Sequence, residues 1–245
     1  MASFVAYIAS RQAVFDVGCS MLDFKRRRFP QDIIMICVRW YIAYPLSYRN
    51  VEEMMAERGI NLDHSTLNRW VIHYAAKISE EVKRRRRAIG KSWRLEETYV
   101  KIQGQWKYLY RAVDKENNTV DFLLTAKRDK KAARRFLNKA IKSSGEPVKI
   151  NIDKSGANTA AIESYNKDNG TNIEIRQNKY LNNIVEQDHR FIKKKVRPTL
   201  GFKKFHAAQS TIAGIEAFHM IKKGQLRPEY SKSRNAVEQF YFLAA

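Results

Sequence analysis

The sequence has 245 residues, of which 46 are Lys or Arg and 25 are Asp or Glu, so its formal net charge is +21. A disordered basic tail is excluded because 44% of the residues are hydrophobic and 11% are aromatic, enough to build a core. No run of 18 apolar residues occurs, so no membrane-spanning helix is expected, and two cysteines are too few for a disulfide framework or a zinc module. The excess charge favours a polyanionic partner, nucleic acid before an anionic membrane or an acidic protein.

The first twenty residues differ from the rest of the chain. They hold a single basic residue, Arg11. A secretory signal carries its positive charge before its apolar stretch, whereas Arg11 follows that stretch. We therefore interpret residues 1–20 as an unstructured extension, with Met21 as a candidate start of translation.

Residues 21–92 are predicted to form an all-α DNA-binding domain that ends in a basic linker. Apolar residues recur every three or four positions over 31–44, Ser47 is placed to cap a second helix, and Asp63 is placed to cap a third. Gly59 separates the second helix from the third. This order is the outline of a helix-turn-helix, and the alternative is a plain helical bundle with a solvated face.

The start of the third helix would enter the major groove of DNA. Arg and Asn side chains match the edges of guanine and adenine. The candidate DNA-reading residues are His64, Ser65, Thr66, Asn68 and Arg69. The basic run after this helix, which includes Arg84, Arg85 and Arg86, has no geometric selectivity and is interpreted as phosphate contacts or a linker.

From Trp93 the apolar residues follow the period of a strand. Three alternating segments, 98–103, 106–113 and 120–125, predict an antiparallel meander. Helical and β-rich segments then follow in turn, which gives the order β-β-β-α-β-α-β-α. This is the order of the ribonuclease H-like fold. The predicted fold class is therefore α/β, with a ribonuclease H-like mixed-sheet catalytic core over 93–227 preceded by the all-α helix-turn-helix domain.

The C-terminal part is predicted to hold one more helix and a tail. Apolar residues at helical spacing predict a helix over 205–223, which we expect to pack across the core sheet. The tail, 228–245, shows no period. Its apolar residues are candidates for docking on a partner subunit: Val237, Phe240, Tyr241, Phe242 and Leu243.

Acidic residues fall at strand ends and at a helix start, where open α/β sheets place their sites. Glu96 or Glu97 lies near the opening of the first strand, Asp153 ends the fourth strand, and Glu186 lies near the start of the helix after the fifth. Mg²⁺ prefers oxygen ligands, and a pair of such cations needs carboxylates from separate elements. The joint placement predicts a two-metal site for phosphoryl displacement, although each acid taken singly is more often a surface residue.

Several stretches together carry a family resemblance, among them SYRNVEEMMAERGINLDHSTLNRWV, INIDKSGANTAAI and RQNKYLNNIVEQDHRFIKK. From about Leu22 to Gln225 the chain resembles the DDE transposases of the insertion-sequence-six family of bacterial mobile elements. The resemblance implies that the front domain binds the terminal inverted repeats of the element. It also implies a core that cuts the strand at the element's end and lets the freed 3′ hydroxyl attack target DNA, with Mg²⁺ or Mn²⁺ as cofactor and no covalent protein–DNA intermediate.

The resemblance also assigns site residues. Asp153 matches the family's second acid and Glu186 its third. Lys193 matches a basic residue that lies about two helical turns after the third acid and could hold a DNA phosphate, although it also fits a solvated basic run. The neighbouring cations are further candidate DNA contacts: Lys194, Lys195 and Arg197.

The first acid departs from the family pattern. Where the family reads Trp-Arg-x-Asp-Glu-Thr-Tyr, this chain places Glu96 at the position of the catalytic aspartate. Its carboxylate lies one methylene farther from the backbone, and catalytic geometry is sensitive to displacements near 1 Å. Glu97 matches the family's own neighbour but points to the opposite face of a strand. We expect weakened metal binding and impaired turnover.

The resemblance finally implies the partners of the chain. They are double-stranded DNA, both element ends and target, and further copies of the chain, because bringing two ends together needs at least two protomers. The implied location is the cytoplasm of a bacterium, at the nucleoid, without a membrane. Two alternatives stay open. Glu96 favours an inactive transposase that only binds DNA sequence-specifically, and a nuclease for RNA–DNA hybrids is disfavoured by the front domain.

Overall fold

A computed structural model describes residues 22–25, 28–153, 155–177, 183–196 and 201–244. The side chains of residues 183–189 and 244 lie outside this description, as do the predicted extension 1–20 and Arg197. Contacts divide the chain into two compact units. We call residues up to Arg87 together with those from Lys194 onward the helical unit, and residues 88–193 the sheet unit.

The helices and strands are numbered in chain order. They are α1 Gln31–Ala43, α2 Tyr48–Ala56, α3 His64–Arg85, β1 Ser92–Ile102, β2 Gln105–Asp114, β3 Thr119–Thr125, α4 Lys130–Ser144, β4 Lys149–Ile152, α5 Gly156–Asn169, β5 Glu174–Gln177, α6 Asn183–Val196, α7 Phe205–Lys222, α8 Pro228–Ser231 and α9 Ala236–Ala244. None of the described helices is long and apolar enough to cross a membrane.

Two side-chain caps begin the second and third helices where the sequence predicts. The Ser47 hydroxyl accepts a hydrogen bond from the Asn50 amide at 3.1 Å, and the Asn50 side chain accepts one from the Ser47 amide at 2.9 Å, a reciprocal capping box. Asp63 accepts from the Ser65 amide at 3.1 Å. Gly59 lies between the two helices with φ +74°, a conformation that glycine adopts without steric cost.

Helix α7 packs against α3 within the helical unit. A Cβ built on Gly214 of α7 would lie only 2.6 Å from the Cβ of Ala75 on α3, so the two helices approach closely because both residues are small. The expected packing of this helix across the sheet is thus corrected. The apolar periodicity identified a buried helix but could not identify its partner.

The tail also folds onto its own unit. Helix α9 packs on α7, with the rings of Phe240 and Phe218 in a T-shaped contact at 5.8 Å. The Arg39 Nε of α1 donates to the Tyr241 hydroxyl at 2.8 Å. Residues proposed for docking on a partner subunit are therefore used inside the protomer, and nine residues were too few to reveal a helical period.

The sheet unit has five strands in the order β3-β2-β1-β4-β5. Strands β1 to β3 form an antiparallel meander, and β4 and β5 run parallel to β1. The predicted order β-β-β-α-β-α-β-α is confirmed, and the fold is a mixed α/β sheet of the ribonuclease H-like kind. Its core joins the sheet to α4 and α5 through buried residues: Trp93, Leu95, Tyr110, Ala112, Phe136, Leu137, Ile150 and Ile162.

Candidate active site

The first two acidic positions lie near the end of the ladder between the parallel strands β1 and β4. The β1–β4 ladder ends with Arg94 paired to Asn151. Glu96 and Asp153 each lie two residues beyond that pair, so a continuation of the same register would bring them side by side on one face of the sheet. Glu96 is partly buried and Asp153 is exposed. Glu96 thus lies inside β1, not at the opening of the strand as predicted, whereas Asp153 directly follows the end of β4 as predicted.

Glu97 lies on the opposite face of β1, as its alternation with Glu96 predicts, but it is not an isolated surface acid. Its side chain is only 7% exposed and forms an ion pair with Arg128. Its Oε1 accepts a hydrogen bond of 2.9 Å from Asn158 Nδ2, and Asn158 is buried in the first turn of α5. The sequence pattern did not reveal these two partners.

The charges around Glu97 extend to Asp153. Burial raises the pKa of Glu97, Arg128 lowers it, and Asp153 is close enough to raise it further. Burial lowers the pKa of Arg128, but the combined effect of Glu97, Tyr99 and Asp153 is larger, so the pKa is raised overall. Arg128 is thus paired with Glu97 and lies within electrostatic range of Asp153.

A buried arginine faces the first acid across the sheet. Arg111 on β2 is the register partner of Glu96 and is fully buried. Its guanidinium lies 5.1 Å from the ring centroid of Phe191 on α6, the helix that also carries Glu186. The sequence signal for Arg111 was a lone cation inside the apolar strand YLYRAV, and it was missed.

Helix α6 carries the third acid and the basic residues that follow it. Glu186 and Lys193 both lie on this helix, as predicted, although the side chain of Glu186, like that of the neighbouring His189, is outside the described residues. Lys193 and Lys194 are exposed to solvent, where a DNA phosphate could reach them.

Lys195 does not match its predicted role as a DNA contact. It is 5% exposed, and its ammonium group donates to the carbonyl oxygens of Tyr44 and Leu46, the latter at 3.2 Å. The same group lies 4.3 Å from the ring centroid of Tyr41. Burial lowers its pKa to about 7. The lysine therefore ties the end of α6 to the connection between α1 and α2 and is not available to a phosphate.

The predicted DNA-reading residues at the start of α3 are only partly free for DNA. His64, Ser65 and Arg69 are exposed. The His64 Nδ1 lies 3.2 Å from a carboxylate oxygen of Glu52 and 3.1 Å from one of Asp63. Asn68 hydrogen-bonds to the hydroxyl of the half-buried Tyr48.

A cleft of about 500 Å³ runs along α3 beside these residues. Thr66, Arg69 and His73 line it from α3, and Arg69 donates to the Thr66 hydroxyl at 2.9 Å. Arg28 and Phe29 line it from the segment before α1, which the sequence analysis did not assign to the site. Guanidinium groups beside aromatic rings suit contacts with phosphates and bases.

The basic run at the end of α3 has mixed environments. Arg84 is largely exposed but binds Glu81 at 2.8 Å. Arg85 lies over the Tyr230 ring at 5.1 Å, and Arg86 is 8% exposed and forms a β-bridge with Leu226. Of these three predicted phosphate contacts, exposure supports Arg84 alone.

Among the described residues, three potential ligand atoms lie within 4.8 Å of one another only in Glu52, Asp63 and His64. This group is in the helical unit, at the start of α3. Asp63 caps α3, and His64 contacts the carboxylates of Asp63 and Glu52. The acids predicted to bind metal do not form such a group among the described side chains. The side chain of Glu186 lies outside that description.

Comparison with known proteins gives a consistent family assignment. A family model for the DDE domain, of the IS240 transposase type, matches residues 90–225. The transposase for the insertion sequence-like element IS431mec of Staphylococcus aureus is 36% identical over 220 residues, which are 89% of this chain and 93% of that protein. The transposase for insertion sequence element IS257 in transposon Tn4003, also from Staphylococcus aureus, has the same identity and coverage.

Catalytic cores of retroviral integrases are among the solved structures to which the chain is similar. The catalytic core domain of the HTLV-2 integrase in complex with magnesium has a TM-score of 0.44 and 15% identity, covering 57% of this chain and 98% of that one. The catalytic core domain of the BIV integrase has a TM-score of 0.41 and 15% identity, covering 62% and 94%. The ribonuclease H-like fold follows from the strand order β3-β2-β1-β4-β5 of the sheet.

Proposed function

We propose, because the chain belongs to the insertion-sequence-six family of DDE transposases, that it binds the inverted repeats of its element and catalyses strand cleavage and strand transfer. The observation that supports this proposal is that Glu96 and Asp153 each lie two residues past the last pair of the β1–β4 ladder. With Glu186 on α6, these residues supply acids from three separate elements to one chemistry.

The donor set fits a pair of hard divalent cations. Carboxylate oxygens are the ligands that Mg²⁺ prefers, and Asp153 is exposed at the strand end. Glu96, Asp153 and Glu186 would hold the cations, with Mn²⁺ able to replace Mg²⁺. When bound, the cations would lower the barrier to in-line displacement at phosphorus by stabilising the charge on the attacking and leaving oxygens.

The other side chains would position DNA. The exposed Lys193 would hold a backbone phosphate of the strand being cut, beside the acids. The N-terminal half of α3 and its cleft would bind the element's end, with Arg69 and Arg28 as the cationic contacts. Synapsis of two such ends would require at least two protomers on the DNA.

A second function is favoured by one observation, the glutamate at the first catalytic position. Glu96 reaches about one bond length farther than aspartate would, a displacement large enough to disturb catalytic geometry. A transposase with this substitution would bind element ends without turning them over. It would then act as a sequence-specific DNA-binding protein and compete with active copies for the same ends.

Strand-transfer assays with Mg²⁺ or Mn²⁺ separate the two functions. We expect slow transfer by the wild-type chain, at least a tenfold faster reaction for Glu96→Asp, and no reaction for Asp153→Asn. End binding should be the same for the wild type and both variants in a gel-shift assay. If Glu96→Asp does not raise the strand-transfer rate above that of the wild type, the hypothesis that Glu96 impairs the reaction is wrong. End binding without cleavage in every variant selects the DNA-binding function.

A further inference from the structure

The loop that carries Asp153 is fixed at both of its ends. Before the loop, β4 pairs with β1 up to Asn151 and Arg94. After the loop, the Asn158 side chain of α5 donates to Glu97 of β1 at 2.9 Å. Asp153 therefore lies in a short span whose two ends are attached to the same strand, β1, on either side of Glu96.

Glu97 connects three elements at this point. Its carboxylate belongs to β1, accepts the hydrogen bond from α5 and pairs with Arg128. Arg128 immediately precedes Asp129, which caps α4 by accepting from the Ala132 amide at 2.8 Å. The starts of α4 and α5 are thus both held to β1 by one carboxylate, which is 7% exposed.

The buried setting makes this connection strong. Asn158 is 2% exposed. If the Glu97 carboxylate were removed, water could not readily replace it as the hydrogen-bond acceptor for the Asn158 amide. Arg128 is closer to solvent, with 38% of its side chain exposed, and can turn away more cheaply. The hydrogen bond from Asn158 is therefore the part of the cluster that restrains the Asp153 loop.

We propose that Glu97, through Asn158 and Arg128, is a positioning residue that sets the place of Asp153 relative to the acid at position 96. This proposal rests on the metal-binding role given to Asp153 under the proposed function. Glu97 acts through the loop and holds no cation itself, since its carboxylate lies on the opposite face of β1 from Glu96. Supporting groups around metal ligands commonly change metal affinity by 10- to 100-fold.

The test uses the full chain and two variants that cut the connection from either side, Glu97→Gln and Asn158→Ala. The matched control is Glu174→Gln, which removes another glutamate–arginine pair of the sheet unit, with Arg176 at 2.7 Å on β5. Hydrogen exchange of the peptide covering residues 152–159, without metal or DNA, reports on the loop. Electron paramagnetic resonance titration with Mn²⁺ reports on the acids, and Asp153→Asn identifies the part of the binding that belongs to the site.

We expect about tenfold faster exchange in the loop and about tenfold weaker Mn²⁺ binding for Glu97→Gln and Asn158→Ala, with no change for Glu174→Gln. Circular dichroism should show all variants folded. Unchanged exchange in both variants overturns the proposal. Faster exchange with unchanged Mn²⁺ affinity also overturns it, because the connection would then serve the fold alone. Wild-type Mn²⁺ binding that is insensitive to Asp153→Asn would instead sink the proposed function and the positioning role together.

Discussion

At the scale of single residues, adjacent glutamates on one strand have different tasks because a strand alternates its faces. Glu96 stands at the position proposed for the first metal-binding acid, whereas Glu97 lies on the other face of the strand and accepts a hydrogen bond from Asn158 of α5. A single methylene added at position 96 changes the reach of one carboxylate and leaves its neighbour's contacts intact. The proposed loss of strand-transfer activity is therefore compatible with an intact fold.

Lys195 is a second residue whose burial has a measurable consequence. Burial lowers its pKa from an ordinary 10.5 to about 7. Between these values the unfolded chain carries a proton on Lys195 that the folded chain has released, so the free energy of unfolding rises with pH from about 7 to about 10. Compared with Lys195→Met, the wild type should gain on the order of a few kcal/mol over this range.

Urea unfolding of both proteins at several pH values between 6 and 10 measures this gain. Lys194→Met is the matched control, because Lys194 is exposed and should keep the wild-type pH dependence. Parallel pH curves for the wild type and Lys195→Met would show that the buried ammonium group keeps its proton through contacts with the Tyr44 and Leu46 carbonyl oxygens.

At the scale of elements, the close packing of α3 and α7 rests on small residues. The methyl group of Gly214→Ala would meet the Cβ of Ala75 at 2.6 Å and Cγ2 of Ile42 at 3.2 Å. Overpacking of this kind costs about 1–3 kcal/mol of stability. Adding Ala75→Gly should recover part of the loss, and thermal unfolding of the two single variants and the double variant measures the coupling. Additive losses would mean that the helices separate without strain.

The face of α3 gives a prediction about DNA affinity. Arg69→Ala should weaken binding to element ends about tenfold, because a guanidinium at the start of the helix contacts a base edge or a phosphate. Lys142→Ala removes the same charge from an exposed position on α4 and serves as the control. Fluorescence anisotropy at several salt concentrations measures both. Equal losses of affinity for the two variants would mean that Arg69 acts only through the net charge of the protein.

Element order was predictable from the sequence because strand and helix periods differ, and the caps Ser47 and Asp63 fixed two helix starts. The partners of α7 and Lys195 were not predictable. Helix α7 is apolar on most of its surface, so its period does not favour one face. A lysine within the run 193–195 looks solvated unless the carbonyl oxygens of Tyr44 and Leu46, about 150 positions earlier, are known to lie beside it.

At the scale of the whole molecule, positive charge is distributed unevenly. Residues 21–94 hold 16 Lys or Arg and 8 Asp or Glu, and residues 179–227 hold 11 and 3. The first segment contains the proposed end-binding helix and the second the proposed third acid. The charge that would attract DNA is therefore concentrated in the segments that the proposed chemistry requires, and we expect the DNA affinity to fall steeply with salt concentration.

The helical unit is built from both ends of the chain, which leads to a prediction about fragments. Helix α3 buries residues against α7, and α1 is bonded to α9 through Arg39 and Tyr241. A fragment of residues 21–92 should therefore lack a cooperative thermal transition, and mixing it with residues 194–245 should restore one. Circular dichroism detects both states. Cooperative unfolding of the first fragment alone would show that three helices suffice.

The same arrangement determines what a growing chain can do on the ribosome. The first three helices are synthesised early, but the helical unit cannot complete its packing without α7. Helix α7 is synthesised only after every strand of the sheet unit. The sheet unit is one continuous stretch and can fold while the early helices wait. A premature stop codon anywhere before α7 would therefore remove the proposed end-binding unit along with the C-terminus. Truncated copies of the gene should not produce a free DNA-binding fragment that interferes with intact ones.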